Sequence, residues 1–200
     1  MADQTDVTVL SPKQELIEGK AKYDTYSKWG MLPTGHSGGA YIGYQMLMDA
    51  INSNHKDRYR VLQESDYQIT VVDQGVTLFG GIHKEGMLEN FQITDPKAQL
   101  TNEKLTLYGE DQRHRFYTNE GVGNKTRLLV LGDSYFETFI MDDLAESFYV
   151  TIMIWGDYAS ELEQIVEEYQ PDIIVMENAE RCDRTDGFAM AMLEMREESY

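Results

Sequence analysis

Arg127-Leu-Leu-Val-Leu-Gly-Asp-Ser-Tyr-Phe136 is the stretch on which the fold turns. Its four apolar residues, Leu128 to Leu131, run without alternation into a glycine, an aspartate and a serine. A short continuous apolar run bounded by a turn signal reads as a strand buried on both faces, as in parallel sheets. Sequence suited to a helix follows, from Phe136 to Phe148. A serine at such a strand-to-helix turn has its own N–H among the unpaired donors of a helix start, where developing negative charge is favoured. Gly132 permits a tight turn and a close backbone approach. The alternative is that Ser134 only caps the helix, since Asp-Ser before an apolar run is a good cap.

Downstream the pattern repeats. Strand Val150 to Trp155, helix Ala159 to Tyr169, strand Asp172 to Met176 and a C-terminal helix from about Asp186 are expected. Such alternation argues for a central parallel sheet, whose ligands bind at the carboxyl ends of the strands. Those ends are Gly132-Asp133-Ser134, Trp155-Gly156-Asp157 and Glu177-Asn178.

Upstream, residues 11–22 suggest a short helix with a Ser-Pro start, followed by a glycine-rich loop from Trp29 to Gly39. From Ala40, the apolar residues Ile42, Met46, Leu47 and Ala50 predict an amphipathic helix to about Ser53. Between Val61 and Tyr117 the sequence changes to short β-type runs: Gln68 to Val72, Val76 to Phe79, Leu105 to Tyr108 and Arg115 to Tyr117. We read residues 61–117 as an inserted antiparallel layer within one domain spanning residues 1–200. Its loops, around Gly80 to His83 and Gly109 to His114, are expected at the surface.

Composition narrows the function. The 200 residues include 35 acidic and 17 basic ones, a formal net charge of −18, and 42% of them are hydrophobic. That is enough for one sizeable core, and its surface field repels phosphate backbones and anionic lipid. Nucleic acid and membrane insertion are therefore excluded as expectations. One cysteine, Cys182, allows no intrachain disulfide. No metal-ligand spacing and no phosphate-cradling glycine motif occurs, so neither metal nor cofactor is expected, and a flavodoxin-like module for a small molecule is disfavoured. The acidic start, Met-Ala-Asp-Gln-Thr-Asp, does not read as a leader peptide.

The order Gly132-Asp133-Ser134, Gly156, Asn178 resembles the SGNH hydrolases. In that family the serine is the nucleophile, the glycine gives an oxyanion N–H and the asparagine gives an amide donor. Further segments resemble the SGNH-like domain of the alginate-type O-acetyltransferases (the AlgX/AlgJ and DHHW group): Leu144-Ala-Glu-Ser-Phe148, Ile154-Trp-Gly-Asp-Tyr158, Pro171-Asp-Ile-Ile-Val-Met-Glu177, Glu180-Arg181 and Gly39-Ala-Tyr-Ile-Gly-Tyr-Gln45. The resemblance implies a flavodoxin-like (SGNH) three-layer α/β fold and acyl-ester chemistry on polysaccharide hydroxyls. It also suggests the bacterial envelope, although a cytoplasmic location remains open. In that group an Asp-x-His-Trp motif precedes the Gly-Ala-Tyr segment. Here one alignment sets Thr34-Gly35-His36 on that motif, keeping the histidine and losing the aspartate, and another sets Gly30-Met31-Leu32 on it and loses both.

The expectation is therefore a carbohydrate O-acetyltransferase or O-acetylesterase. Ser134 would be the nucleophile and His36 its base, Gly156 and Asn178 would hold the oxyanion, and Asp133 would orient the turn. Trp155 and Tyr135 would contact a glycan substrate, and an acetyl donor would be the second partner. The competing expectation is an inactive SGNH-like module that binds a glycan or a protein partner.

Overall fold

The computed structural model describes residues 7–25, 37–55, 58–78, 81–107, 113–133, 136–137, 140–156 and 159–178, with backbone alone over 73–78, 81–88 and at 159. The expected C-terminal helix from Asp186 lies outside these residues. The chain divides into two compact units, Met1–Pro96 and Lys97–Tyr200. The stretch read as one inserted layer is shared between them.

In the first unit, helix α1 (Lys13–Gly19) precedes the longer α2 (Gly38–His55). On α2, Tyr41, Tyr44, Leu47, Met48 and Ile51 are buried. Their three- and four-residue spacing makes one apolar stripe. Tyr41 stacks on Phe91 at 5.1 Å between ring centres, and Tyr23 and Tyr67 meet Phe91 edge-on. The chain leaving α2 is clipped by Asn52, whose amide donates to the Tyr59 carbonyl and accepts the Tyr59 N–H, each at 3.0 Å. Tyr44 Oη accepts the Leu62 N–H at 2.9 Å.

Strands β1 (Tyr67–Leu78) and β2 (Gly81–Ile93) then form an antiparallel pair, running from Tyr67↔Ile93 to Leu78↔Gly81, with a register shift between Gln74 and Gly75. Two corrections follow. The runs 68–72 and 76–79 belong to one strand as far as Leu78, and Gly81 to His83, expected as loop, is strand.

The second unit holds a five-stranded mixed sheet of order β3-β4-β6-β5-β7. Its strands are β3 (Gln99–Leu100), β4 (Arg115–Thr118), β5 (Arg127–Gly132), β6 (Val150–Trp155) and β7 (Ile173–Met176). β5 pairs in parallel with β6 and β7, whereas β4 is antiparallel to β6 and β3 to β4. The fold is thus mixed α/β. Leu128 to Leu131 are all fully buried, so both faces of β5 are covered. Each such side chain contributes roughly 1.5–3 kcal/mol.

Helix α4 (Leu162–Tyr169) covers one face, with Leu162, Ile165 and Tyr169 in a core with Leu129, Leu131, Ile152 and Ile154. The alternating residues Leu128, Val130 and Met153 point to the opposite face. The short helix α3 (Met141–Ala145) packs against β6. The chain steps from β5 to β6 on one side and returns past β5 to β7 on the other. In α/β sheets with right-handed crossovers, such a reversal is where ligand crevices generally form, and here it falls at the ends of β5 and β6.

Two further expectations change here. The helix expected over 136–148 is interrupted: among the described residues 136–137 are helical, 140 is a turn and Met141–Ala145 form the next helix. Leu105 to Leu107 are not a strand; Leu105 follows a 3-10 turn over Asn102–Lys104. The N–H of Leu107 donates to the Tyr169 hydroxyl at 2.9 Å, which donates back to the Leu107 carbonyl at 3.1 Å. A side chain here supplies what a neighbouring strand would.

Candidate functional site

The register brings the three parallel strands to one level. Gly132 lies beside Trp155, and Leu131 beside Met176. The ladder continues one residue further on both sides: the Gly156 N–H donates to the Gly132 carbonyl at 3.0 Å and the Glu177 N–H to the Leu131 carbonyl at 2.8 Å. Gly132-Asp133, Trp155-Gly156 and Glu177-Asn178 are therefore neighbours at the sheet edge where an α/β fold binds its ligands.

At the centre, Asp133 is buried. Its N–H donates to Glu177 Oε2 at 2.9 Å, and its carbonyl accepts the Glu137 N–H at 3.2 Å, a bond of helical spacing. Ser134 and Tyr135 lie outside the described residues, as does His36. The turn that precedes the serine is described; the serine is not. Gly132 serves a close approach, since a Cβ there would stand 3.0 Å from Glu177 Oε2 and 3.3 Å from Glu177 Cβ.

Gly156 has φ of 119°, a conformation that side chains rarely tolerate. Its N–H, expected to hold an oxyanion, donates instead to Gly132. The geometry gives Gly156 the turn after β6. Asn178 is half-buried directly after Glu177.

The β6 end carries features that spacing did not select. Antiparallel pairing of Arg115 with Met153 brings His114 alongside Trp155. His114, expected at the surface, is fully buried, and its Nδ1 accepts the Trp155 N–H at 2.9 Å. A nitrogen that accepts an N–H carries no proton, so the neutral ring bears its proton on Nε2. In that tautomer Nε2 carries the hydrogen and cannot act as a base. The Arg113 guanidinium lies 3.5 Å from the centre of the half-buried Trp155 ring, a cation–π contact.

Strand β4 also holds the segment after the turn. Arg115 pairs with Glu137, both largely buried, and Tyr117 donates to Asp142 at 2.7 Å. Burial foremost, and then the Asp142 charge, raises the Tyr117 phenol above its ordinary value. Phe116, between them in sequence, faces the other way and meets Tyr169 edge-on at 6.3 Å.

Among the described residues, no group of three or more His, Cys, Asp or Glu could hold a metal ion, and no helix is long and apolar enough to cross a membrane. A shallow groove in the first unit is lined by Glu15, Ile42, Gln45, Met46 and Asp49. Those residues offer neither a nucleophile nor a base paired to one.

The arrangement is similar to those of several solved structures. PatB1 of Bacillus cereus matches with a TM-score of 0.51 at 16% identity, over 70% of this chain and 57% of PatB1. Its form with a sulfonyl adduct matches with a TM-score of 0.58 at 19% identity, over 80% of this chain and 64% of that one. A DHHW family protein from Eubacterium siraeum DSM 15702 matches with a TM-score of 0.50 at 15% identity, over 81% of this chain and 61% of its own. The chain thus spans about six tenths of each of these structures. At such identities the likeness establishes a related fold. No family model and no curated protein matches the sequence.

Proposed function

We propose that this chain is an SGNH-type domain of flavodoxin-like architecture that transfers or hydrolyses O-acetyl groups on a carbohydrate through an acyl-enzyme at Ser134. The observation that carries the reading is the Gly132-Asp133 turn at the end of β5, the middle one of the three parallel strands, with the ends of β6 and β7 in register on either side. The residue that follows this turn in the sequence is the serine. The relation in fold to PatB1 supports the same chemistry, because PatB1 is known with a sulfonyl adduct and sulfonyl groups are captured by activated nucleophiles.

In the proposed reaction Ser134 Oγ attacks the acetyl carbonyl carbon and His36 takes the hydroxyl proton. The donor's leaving oxygen departs with that proton, leaving an acetyl ester on Ser134. A sugar hydroxyl, or water, then attacks the ester and gives its proton to His36, which returns it to Ser134 Oγ as the acyl–oxygen bond breaks and the serine is released. The Asn178 amide and the Ser134 N–H stabilise the oxyanion. Gly156 shapes the turn, Trp155 and Tyr135 contact the glycan, and an envelope polysaccharide is the proposed substrate class.

Hydrolysis of p-nitrophenyl acetate tests this, with Ser134→Ala as control and mass mapping of a serine-reactive phosphonate. The proposal expects turnover abolished by the substitution and label on Ser134. The missing aspartate before His36 favours a second reading, an inactive glycan- or partner-binding module. Equal background rates for both proteins, with no label on Ser134, would establish it instead.

A further inference from the structure

We infer that Glu177 is a positioning residue for acyl transfer, its carboxylate fixing the turn that presents the nucleophile. The inference rests on the reading of Ser134 above.

One side-chain hydrogen bond, one backbone bond and one close approach fix this residue. Its Oε2 accepts the N–H of Asp133, the residue immediately before Ser134, at 2.9 Å. Its own N–H donates to the Leu131 carbonyl at 2.8 Å, so the base of the side chain is fixed to the buried strand β5. Gly132 leaves just enough room, because any Cβ there would crowd both the carboxylate oxygen and Glu177 Cβ. A carboxylate accepting a backbone N–H is among the stronger hydrogen bonds of a protein.

A strand-to-helix turn has unpaired N–H groups that must find partners. The Asp133 N–H stands at the point where the ladder of β5 ends. Without an acceptor it would turn toward water, and the following residue would rotate with it. Glu177 reaches from the neighbouring strand end to hold that N–H in the sheet. The inferred contribution is to geometry, through the backbone one residue before the nucleophile. Misplacement of a reacting group by about 1 Å costs on the order of 100-fold in rate.

The test compares Glu177→Gln, which keeps an oxygen acceptor, with Glu177→Met, which keeps the length and loses it. Phosphonate labelling of Ser134 and steady-state ester hydrolysis are read per folded molecule. E177Q is expected within about threefold of the parent chain, while E177M loses at least about tenfold in labelling rate and kcat with KM unchanged. Equal labelling of E177M and the parent would overturn the inference, and so would equal losses in both variants.

Should E177M not fold, amide exchange at Asp133 decides, being slow in the parent and in E177Q if the bond holds the turn. Fast exchange in the parent overturns the inference. Absence of label in the parent chain itself would refute the acyl-enzyme reading, and the exchange measurement would then still show whether Glu177 holds the turn.

Discussion

Nδ1 of the fully buried His114 accepts the backbone N–H of Trp155 at 2.9 Å, joining the start of β4 to the end of β6 just beyond their paired residues. Removing the ring leaves a cavity and a buried N–H without its acceptor. His114→Ala is therefore expected to destabilise the chain by about 2–4 kcal/mol. His114→Asn, whose side-chain oxygen can accept the same N–H, should recover at least about 1 kcal/mol of that loss. Denaturant unfolding measures both, and an alanine variant within about 0.5 kcal/mol of the parent would refute the structural role.

The second prediction concerns alkaline pH. Burial and Asp142 keep the Tyr117 phenol protonated beyond the pH at which an unfolded tyrosine, near 10, gives up its proton. Above that pH the unfolded chain binds fewer protons than the folded one, so stability falls as pH rises through the unfolded value. Tyr117→Phe should flatten the pH dependence above about 10 and cost about 1 kcal/mol at neutral pH through the lost bond to the exposed Asp142. Unfolding midpoints from pH 8 to 11 would show parallel slopes if the prediction fails.

At Gly156 the backbone itself is the constraint. Its φ of 119° lies where a Cβ is strained. Gly156→Ala should cost roughly 1–3 kcal/mol or shift the turn. A thermal midpoint equal to the parent's, with turnover intact, would contradict this.

In the first unit, Asn52 serves the Tyr59 backbone as a strand partner would, with one bond given and one received. Asn52→Ala is expected to lose about 2–4 kcal/mol, because two buried backbone groups are left unsatisfied. Asn52→Asp keeps the acceptor alone and should fall between the two. Hydrogen exchange at the Tyr59 amide would rise in the alanine variant and stay protected in the aspartate one.

What could be read from the sequence follows from where burial leaves a signature. β5 was legible because a strand buried on both faces is written as an unbroken apolar run; β6, broken only by the buried Thr151, and the half-buried edge strand β7 are nearly as apolar. β2 was not, since Gly81-Ile-His-Lys-Glu-Gly is a strand by virtue of its partner and carries no apolar code. Leu105 to Tyr108 misled for the opposite reason: the alternation is that of a half-buried strand, yet the Leu107 backbone bonds to the Tyr169 hydroxyl 62 residues away. The neighbourhood of Gly132, Gly156 and Asn178 was anticipated from their order along the chain. The placement of His114 and the hold of Glu177 on Asp133 depend on register between strands far apart in sequence, and no local pattern encodes register across such distances.

The order of the sheet bears finally on how the chain is made. β4 and β5 are consecutive in sequence, yet β6 lies between them, and both neighbours of β5 come after it. As synthesis proceeds from the N-terminus, the strand leading to Ser134 emerges before either of its partners exists. Its four apolar residues must wait for residues 150–155 on one side and 173–176 on the other. A nascent chain halted before Val150 would expose the apolar run Leu128 to Leu131 unpaired, a target for chaperones and for aggregation.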